Sequence, residues 1–142
     1  TTEIYTLSLH DALPIYKIRN HFGMCRISQA GALAALQDTT WAAFMRRLIG
    51  ASRDRLAQIA RDNGLVPLPS ATNFVTIDCG GDGAFARAVL EALTDADIFV
   101  RMPFVAPHNR CIRVSCGPEA EMAAFAAALP GALAAARAAS SR

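Results

Sequence analysis

The chain is poor in lysine and in aromatic residues. Lys17 is the single lysine among 14 basic residues, and Phe, Trp and Tyr together make up 7% of the 142 residues. The arginines are spread along the chain and form no basic cluster interleaved with aromatic side chains, the pattern that follows phosphates and stacks bases. The distribution of the basic residues therefore argues against nucleic acid as a partner.

The cysteines form no recognised motif. The four cysteines are Cys25, Cys79, Cys111 and Cys116. None forms a C-x-x-C pair, and none stands beside histidines at the spacing of metal ligands. We therefore expect no metal site and predict reduced, buried thiols.

Residues 1–15, TTEIYTLSLHDALPI, resemble one translated frame of a common short-read sequencing adapter. This interpretation predicts that residues 1–15 are an artefact without a domain and that the genuine polypeptide starts in mid-gene, inside the codon of Tyr16. The alternative is an ordinary amphipathic N-terminus, in which Ile4, Leu7, Leu9 and Leu13 alternate with polar residues.

The remaining residues, 16–142, are enough for one domain with a single core. Because Glu3 and Asp11 leave with the first segment, the formal charge of the remainder rises from +2 to +4. The apolar stretch from Met122 to Ala139 is broken by Pro130-Gly131, so we expect it to be too short and interrupted to span a bilayer. With no secretory signal in residues 16–142, the chain is predicted to be cytoplasmic and free of membrane.

Hydrophobic periodicity and turn signals predict an α/β fold of the α+β type, with a long helix and a small antiparallel or mixed sheet covered by helices. The predicted order is a helix at 28–36, a long helix from Trp41 to the Asn63-Gly64 cap, a strand at 74–79, a helix at 84–93, strands at 98–102 and 111–116, and a last helix from Gly117-Pro118-Glu119. The apolar stripe of the long helix comprises Trp41, Phe44, Met45, Leu48, Ile49, Leu56, Ile59 and Ala60.

Two arginines are the candidate site residues. In the strand 111–116, period-two alternation places Ile112 and Val114 on the core face and Arg113 on the opposite face. Its planar guanidinium can hold a carboxylate through two hydrogen bonds, although a plain surface arginine fits the pattern as well. Arg101 closes the preceding strand and would face the Arg113 strand to form an anion site, or would instead pair with Asp78 or Asp97.

Other reactive side chains lack a supporting context. His21 and His108 have no carboxylate or serine at motif spacing, so both are interpreted as loop residues. Ser70 and Ser115 lack a nucleophile elbow, and nothing near Lys17 would depress the pKa of its amine. We therefore expect no catalytic residue in the chain.

In this order the segments resemble the C-terminal part of the class I/II (fold type I) pyridoxal-phosphate aminotransferases, closest to the histidinol-phosphate aminotransferase-like branch. The resemblance is carried by residues 17–22 with 28–36, by Pro69-Ser70-Ala71-Thr72-Asn73-Phe74-Val75, by Ile98-Phe99-Val100-Arg101, and by Cys111-Ile112-Arg113-Val114-Ser115-Cys116-Gly117. It covers essentially all of residues 16–142.

The resemblance implies that Arg113 binds the α-carboxylate of the substrate and that Arg101 contacts its distal, often phosphorylated, end; Asn73 and Phe74 are implied only as structural. It also implies an intact homodimeric enzyme that uses pyridoxal 5'-phosphate to transfer an amino group between an amino acid, histidinol phosphate or similar, and a 2-oxo acid. The Schiff-base lysine and the other cofactor ligands of that family lie upstream of Lys17, so the chain itself is expected neither to bind the cofactor nor to catalyse the reaction. The segment Met102 to Pro107 departs from the histidinol-phosphate enzymes, which leaves the substrate open.

Two other functions compete with this interpretation. The first is a stand-alone small α/β module in which Arg113 and Arg101 bind an anion or an amino acid. The second is another enzyme of the same fold type, such as a decarboxylase. A Ser-x-x-Lys segment encoded in frame upstream of Tyr16 would favour the aminotransferase, whereas a native start codon just before Tyr16 would favour the module.

Overall fold

The computed structural model of the protein describes residues 23–140. The predictions for residues 1–15 and for the stretch 17–22 lie outside the described residues. The chain divides between Ala42 and Ala43 into two compact units. In the first unit, helix α1 (Arg26–Gln37) confirms the helix predicted at 28–36, and none of its residues is buried.

The long helix α2 (Thr39–Asp62) forms where the apolar periodicity predicted it. Its first turn is capped by Asp38, whose Oδ1 accepts a hydrogen bond from the backbone amide of Trp41 at 2.8 Å. At its end Gly64 adopts a φ of 74°, and the amides of Gly64 and Leu65 donate to the carbonyls of Arg61 and Ala60. This pair of bonds is a Schellman motif, so the Asn63-Gly64 cap is confirmed.

Only the C-terminal part of the predicted apolar stripe of α2 is in the core. Leu56, Ile59 and Ala60 are buried, whereas Trp41 and Leu48 are 55% and 48% exposed. The predicted spacing of the apolar residues is therefore correct. Among the described residues, however, only the second half of the stripe is fully buried, and the first half stays partly exposed.

The sheet has three antiparallel strands in the order β1 (Val66–Pro67), β2 (Phe74–Asp78) and β3 (Cys111–Ser115). On the inner face of β2 and β3, Val75, Ile77, Ile112 and Val114 are buried. On the outer face, Thr76 lies opposite Arg113 and Phe74 lies opposite Ser115. The predicted small antiparallel sheet and the outward position of Arg113 are therefore confirmed.

The strand predicted at 98–102 is wrong in extent, because only an isolated bridge between Arg101 and Arg113 forms there. The amide of Ile98 donates instead to the carbonyl of Leu93 at the end of the preceding helix, at 2.9 Å. On the other side Pro103 has no amide to donate. These two constraints leave a single residue pair available to the sheet.

Two helices cover the inner face of the sheet and pack against each other: α3 (Gly83–Asp95) and α4 (Glu119–Ser140). The carboxylate of Asp82 caps α3 by accepting from the amide of Phe85 at 2.9 Å. The core between these layers includes Leu56, Ile77, Val89, Leu93, Ile112, Phe125, Leu129 and Leu133.

The predicted interruption at Pro130-Gly131 is wrong, because α4 runs unbroken from Glu119 to Ser140, 22 residues in all. Pro130 removes one helical hydrogen bond, but it lies on the exposed side while Leu129 and Leu133 pack in the core. By length and composition alone α4 would be able to cross a membrane. That is weak evidence, since a buried core helix meets the same criterion and the larger side chains of α4 are core residues.

Candidate functional site

Arg113 stands at the centre of the outer face of the sheet, opposite Thr76 on β2. Its guanidinium carbon lies 4.6 Å from the centre of the Phe74 ring, a cation–π contact along the same face. Phe74, implied only as structural by the resemblance, therefore supports the candidate site directly. Period-two alternation puts Phe74 and Thr76 on one face of β2. The contact between Phe74 and Arg113 could therefore be predicted from the sequence once the strand register was known.

Arg101 is the neighbour of Arg113 on the other side of β3. The amide of Arg101 donates to the carbonyl of Arg113 at 3.1 Å, and the amide of Arg113 donates back at 2.7 Å. Directly opposed residues of an antiparallel pair project to the same face, so both guanidinium groups rise from the outer face. The predicted pairing of the two arginines across the sheet is confirmed.

The charges of both arginines are unbalanced within the described part of the chain. Neither guanidinium forms an ion pair with an acidic side chain of residues 23–140. Asp78, the alternative partner considered for Arg101, accepts instead from Nε of Arg110 at 3.0 Å. Two adjacent cations without a carboxylate partner favour the binding of an anion.

An open cleft of about 530 Å³ lies beside Arg113. One wall is the segment from Leu68 to Phe74, and the other is the loop that contains Pro103, Phe104, Val105 and His108. A second cavity of about 280 Å³ is lined by both Arg101 and Arg113. The arginine pair therefore faces space that a small organic molecule can fill.

The walls of the cleft differ in chemistry. Ser70 and Thr72 share a hydrogen bond between their hydroxyls at 3.1 Å, and the Ser70 hydroxyl also donates to the carbonyl of Phe74 at 2.6 Å. Opposite them, Phe104 and Val105 are 86% and 76% exposed. The site thus combines a polar wall, an apolar wall and a cationic floor.

His108 also lines this cleft, although the sequence indicated only a loop position. It begins a short 3-10 turn, His108–Arg110, that leads into β3. No motif spacing singles out this histidine, and only the fold of the proline-rich loop brings it near Arg113.

The described residues contain no candidate for the lysine that would hold a pyridoxal cofactor as a Schiff base. Residues 23–140 include no lysine, so no amine is available there for a Schiff base. The same residues contain no group of three or more His, Cys, Asp or Glu side chains able to hold a metal ion.

The cysteines differ in burial, which corrects the prediction that all four are buried. Cys79 and Cys111 are buried, whereas Cys25 is exposed and Cys116 is half-buried. Burial raises the pKa of the Cys79 thiol to about 12 and also raises the pKa values of Cys111 and Cys116. A hydrogen bond with the Ser28 hydroxyl at 3.2 Å lowers the pKa of Cys25.

The family described as "Aminotransferase class I and II" matches residues 12–129. Among curated relatives, histidinol-phosphate aminotransferase 2 of Gluconobacter oxydans is 37% identical over 98 residues, which cover 69% of this chain and 27% of the relative. Histidinol-phosphate aminotransferase 2 of Ralstonia nicotianae is 36% identical over 123 residues, which cover 87% of this chain and 33% of the relative.

A solved structure agrees with these sequence relatives. The histidinol-phosphate aminotransferase of Sinorhizobium meliloti, in complex with pyridoxal-5'-phosphate, superimposes with a TM-score of 0.76 at 53% identity. The superposition covers 88% of this chain and 34% of that one. The chain thus spans about a third of the length of the proteins it matches, and it belongs to the class I and II aminotransferase family.

Proposed function

We propose that this chain is the C-terminal part of a pyridoxal-phosphate-dependent aminotransferase and supplies its substrate-anion site. The intact enzyme transfers an amino group between an amino donor, histidinol phosphate or a similar compound, and a 2-oxo acid. This proposal is carried by one observation: two adjacent arginines lie beside an open cleft, and neither has an acidic partner in residues 23–140.

In this proposal Arg113 binds the carboxylate of the 2-oxo acid through two hydrogen bonds, because the guanidinium fork matches a carboxylate in geometry and charge. The Phe74 ring beneath the guanidinium limits the directions in which the fork can turn. Arg101 extends the positive charge toward the distal end of the substrate, where a phosphate would be bound. The exposed Phe104 and Val105 offer an apolar wall to an organic substrate, in contrast to a site for a bare inorganic ion.

The Schiff-base lysine for the cofactor, pyridoxal 5'-phosphate, is proposed to lie outside this chain, since residues 23–140 contain no lysine and the sequence around Lys17 offers nothing to depress the pKa of its amine. The chain alone is therefore expected to be inactive. We further propose that residues 1–15 are adapter-derived and that the domain occupies 16–142. The intact enzyme is proposed to be a cytoplasmic homodimer without nucleic-acid or membrane partners.

The first test is to sequence the source DNA across the codon of Tyr16 and to express the gene found there. We expect coding sequence to continue upstream in frame and to include a cofactor lysine. The purified product should then convert histidinol phosphate and a 2-oxo acid, whereas the 142-residue chain should show no absorbance band of bound pyridoxal phosphate. A native start codon just before Tyr16, or a full-length product that transfers no amino group to any 2-oxo acid, would contradict the proposal. The comparisons favour neither the stand-alone module nor a decarboxylase.

A further inference from the structure

Ser52, in the middle of α2, makes a reciprocal pair of hydrogen bonds with the backbone of Gly117. Its hydroxyl donates to the Gly117 carbonyl at 3.0 Å and accepts from the Gly117 amide at 3.1 Å. A serine inside a helix commonly bonds back to the preceding turn, but this one contacts a segment 65 residues away. Ser52 therefore links α2 to the turn that follows the Arg113 strand.

Gly117 lies where a side chain would have little room beside the first turn of α4. A Cβ at this position would collide with the carboxylate of Glu121 and would lie 3.3 Å from the end of Met122. Both residues of the pair are half-buried, so water has limited access to the Gly117 amide and carbonyl. Loss of the Ser52 hydroxyl would leave both backbone groups without this partner.

The next residue of α2 contacts a wall of the cleft. Arg53 donates from a terminal guanidinium nitrogen to the carbonyl of Thr72 at 3.1 Å. Thr72 belongs to the polar wall of the cleft. The two segments are joined to each other as well, because the amide of Cys116 donates to the carbonyl of Asn73 at 2.8 Å.

Together these bonds connect one turn of α2 to the turn that follows the Arg113 strand and to one wall of the cleft. Thr72 stands two residues before Phe74, whose ring contacts the Arg113 guanidinium, and Gly117 follows the end of β3 at Ser115 by two residues. Neither Ser52 nor Arg53 lines the cleft itself. A shift of either segment would change the direction of the Arg113 guanidinium without removing it.

We propose that Ser52 and Arg53 are positioning residues for the substrate-anion site, which they hold by fixing the Gly117 turn and the Thr72 wall to helix α2. This inference rests on the proposed function of Arg113. It predicts that loss of either contact weakens the binding of the substrate anion, while the residues that take part in the chemical step are unchanged.

The test measures steady-state kinetics of the full-length enzyme carrying Ser52→Ala, Ser52→Thr or Arg53→Met. For Ser52→Ala and Arg53→Met we expect KM for the 2-oxo acid to rise about tenfold, while kcat stays within about twofold of the wild type. This combination is expected when substrate binding is weakened and the chemical step is unchanged. Ser52→Thr should restore the wild-type KM, because it keeps the hydroxyl and a cavity of about 370 Å³ beside residue 52 has room for the added methyl. Arg55→Ala, an exposed change on the same helix, is the matched control and should leave KM unchanged.

A second measurement separates positioning from folding and from the proposed function. In ¹⁵N NMR spectra of the full-length enzyme, the Nε–H signal of Arg113 should carry a ring-current shift from Phe74, and Ser52→Ala and Arg53→Met should each reduce that shift. An unchanged Arg113 signal and an unchanged KM in both variants would overturn the proposal. If the wild-type enzyme transfers no amino group, the proposed function fails, and the NMR signal alone decides whether these residues position Arg113.

Discussion

Replacement of Arg113 tests the central element of the site. In the full-length enzyme, Arg113→Gln removes the charge but keeps a side chain able to form hydrogen bonds. A charge-assisted hydrogen bond contributes about 1.5 to 3 kcal/mol, which corresponds to a rise in KM of about 10- to 150-fold for the 2-oxo acid. We expect the upper half of this range, because Arg113 has no acidic side chain of residues 23–140 to neutralise it and its charge is available to the substrate.

Arg113→Lys distinguishes the loss of charge from the loss of geometry. Lysine keeps the positive charge but cannot bind a carboxylate through a planar fork, and it would stack less well on the Phe74 ring. KM for Arg113→Lys should therefore fall between those of the wild type and Arg113→Gln. If charge alone mattered, the lysine variant would match the wild type.

The assay is the initial rate of amino transfer at varied 2-oxo acid, with the other substrate saturating. Arg61→Gln, an exposed arginine in the last turn of α2, is the control and should leave KM unchanged. Thermal unfolding of each variant should stay near that of the wild type, since Arg113 lies outside the buried core. Wild-type KM values for Arg113→Gln would remove this residue from the site and refute the reasoning.

Three further predictions concern the chain itself. Leu129→Ala, at a fully buried position of α4, should lower the free energy of unfolding by about 2 to 5 kcal/mol in urea titrations, whereas Val66→Ala at an exposed position should change it by less than about 0.5 kcal/mol; equal effects would place Leu129 outside the core. Gly64→Ala should destabilise the chain by about 1 to 2 kcal/mol, because φ at Gly64 is 74°. Gly50→Ala inside α2 should instead stabilise it by about 0.5 to 1 kcal/mol, because the added Cβ meets open space. Thermal melts that rank the two variants in the opposite order would contradict the helix cap at Gly64. Near pH 8 a thiol reagent should modify Cys25 first and Cys79 last, because the pKa of Cys25 is lowered and the pKa of Cys79 is raised to about 12. Mass spectrometry after limited labelling gives the order of modification. Early modification of Cys79 would contradict its burial.

Local signals in the sequence predicted most of the elements. Asp38 and the Asn63-Gly64 pair determine the two ends of α2 through hydrogen bonds between near neighbours, and such signals are visible without knowledge of the fold. The outward position of Arg113 followed from strand alternation for the same reason. Its pairing with Arg101 required only that the two segments be neighbours in the sheet.

The errors arose where distant segments determine local structure. Ile98 bonds the end of α3 in place of a strand, and α4 continues through Pro130 because its buried side chains pack in the core. The contact of Ser52 with Gly117 joins residues 65 positions apart, and no spacing in the sequence indicates it. His108 likewise reaches the cleft only through the path of its loop.

The two edges of the small sheet also affect how the isolated chain would self-associate. Val66–Pro67 forms a two-residue edge strand in which Pro67 lacks an amide, and beyond β3 the chain continues the sheet by the single Arg101 bridge. Short edges and proline discourage the addition of a further strand from another molecule. The exposed side chains of Phe99, Phe104 and Val105 offer apolar surface for contact with another molecule. Aggregates of the isolated chain should therefore be amorphous, with little dye-binding cross-β structure, and should grow through side-chain contacts.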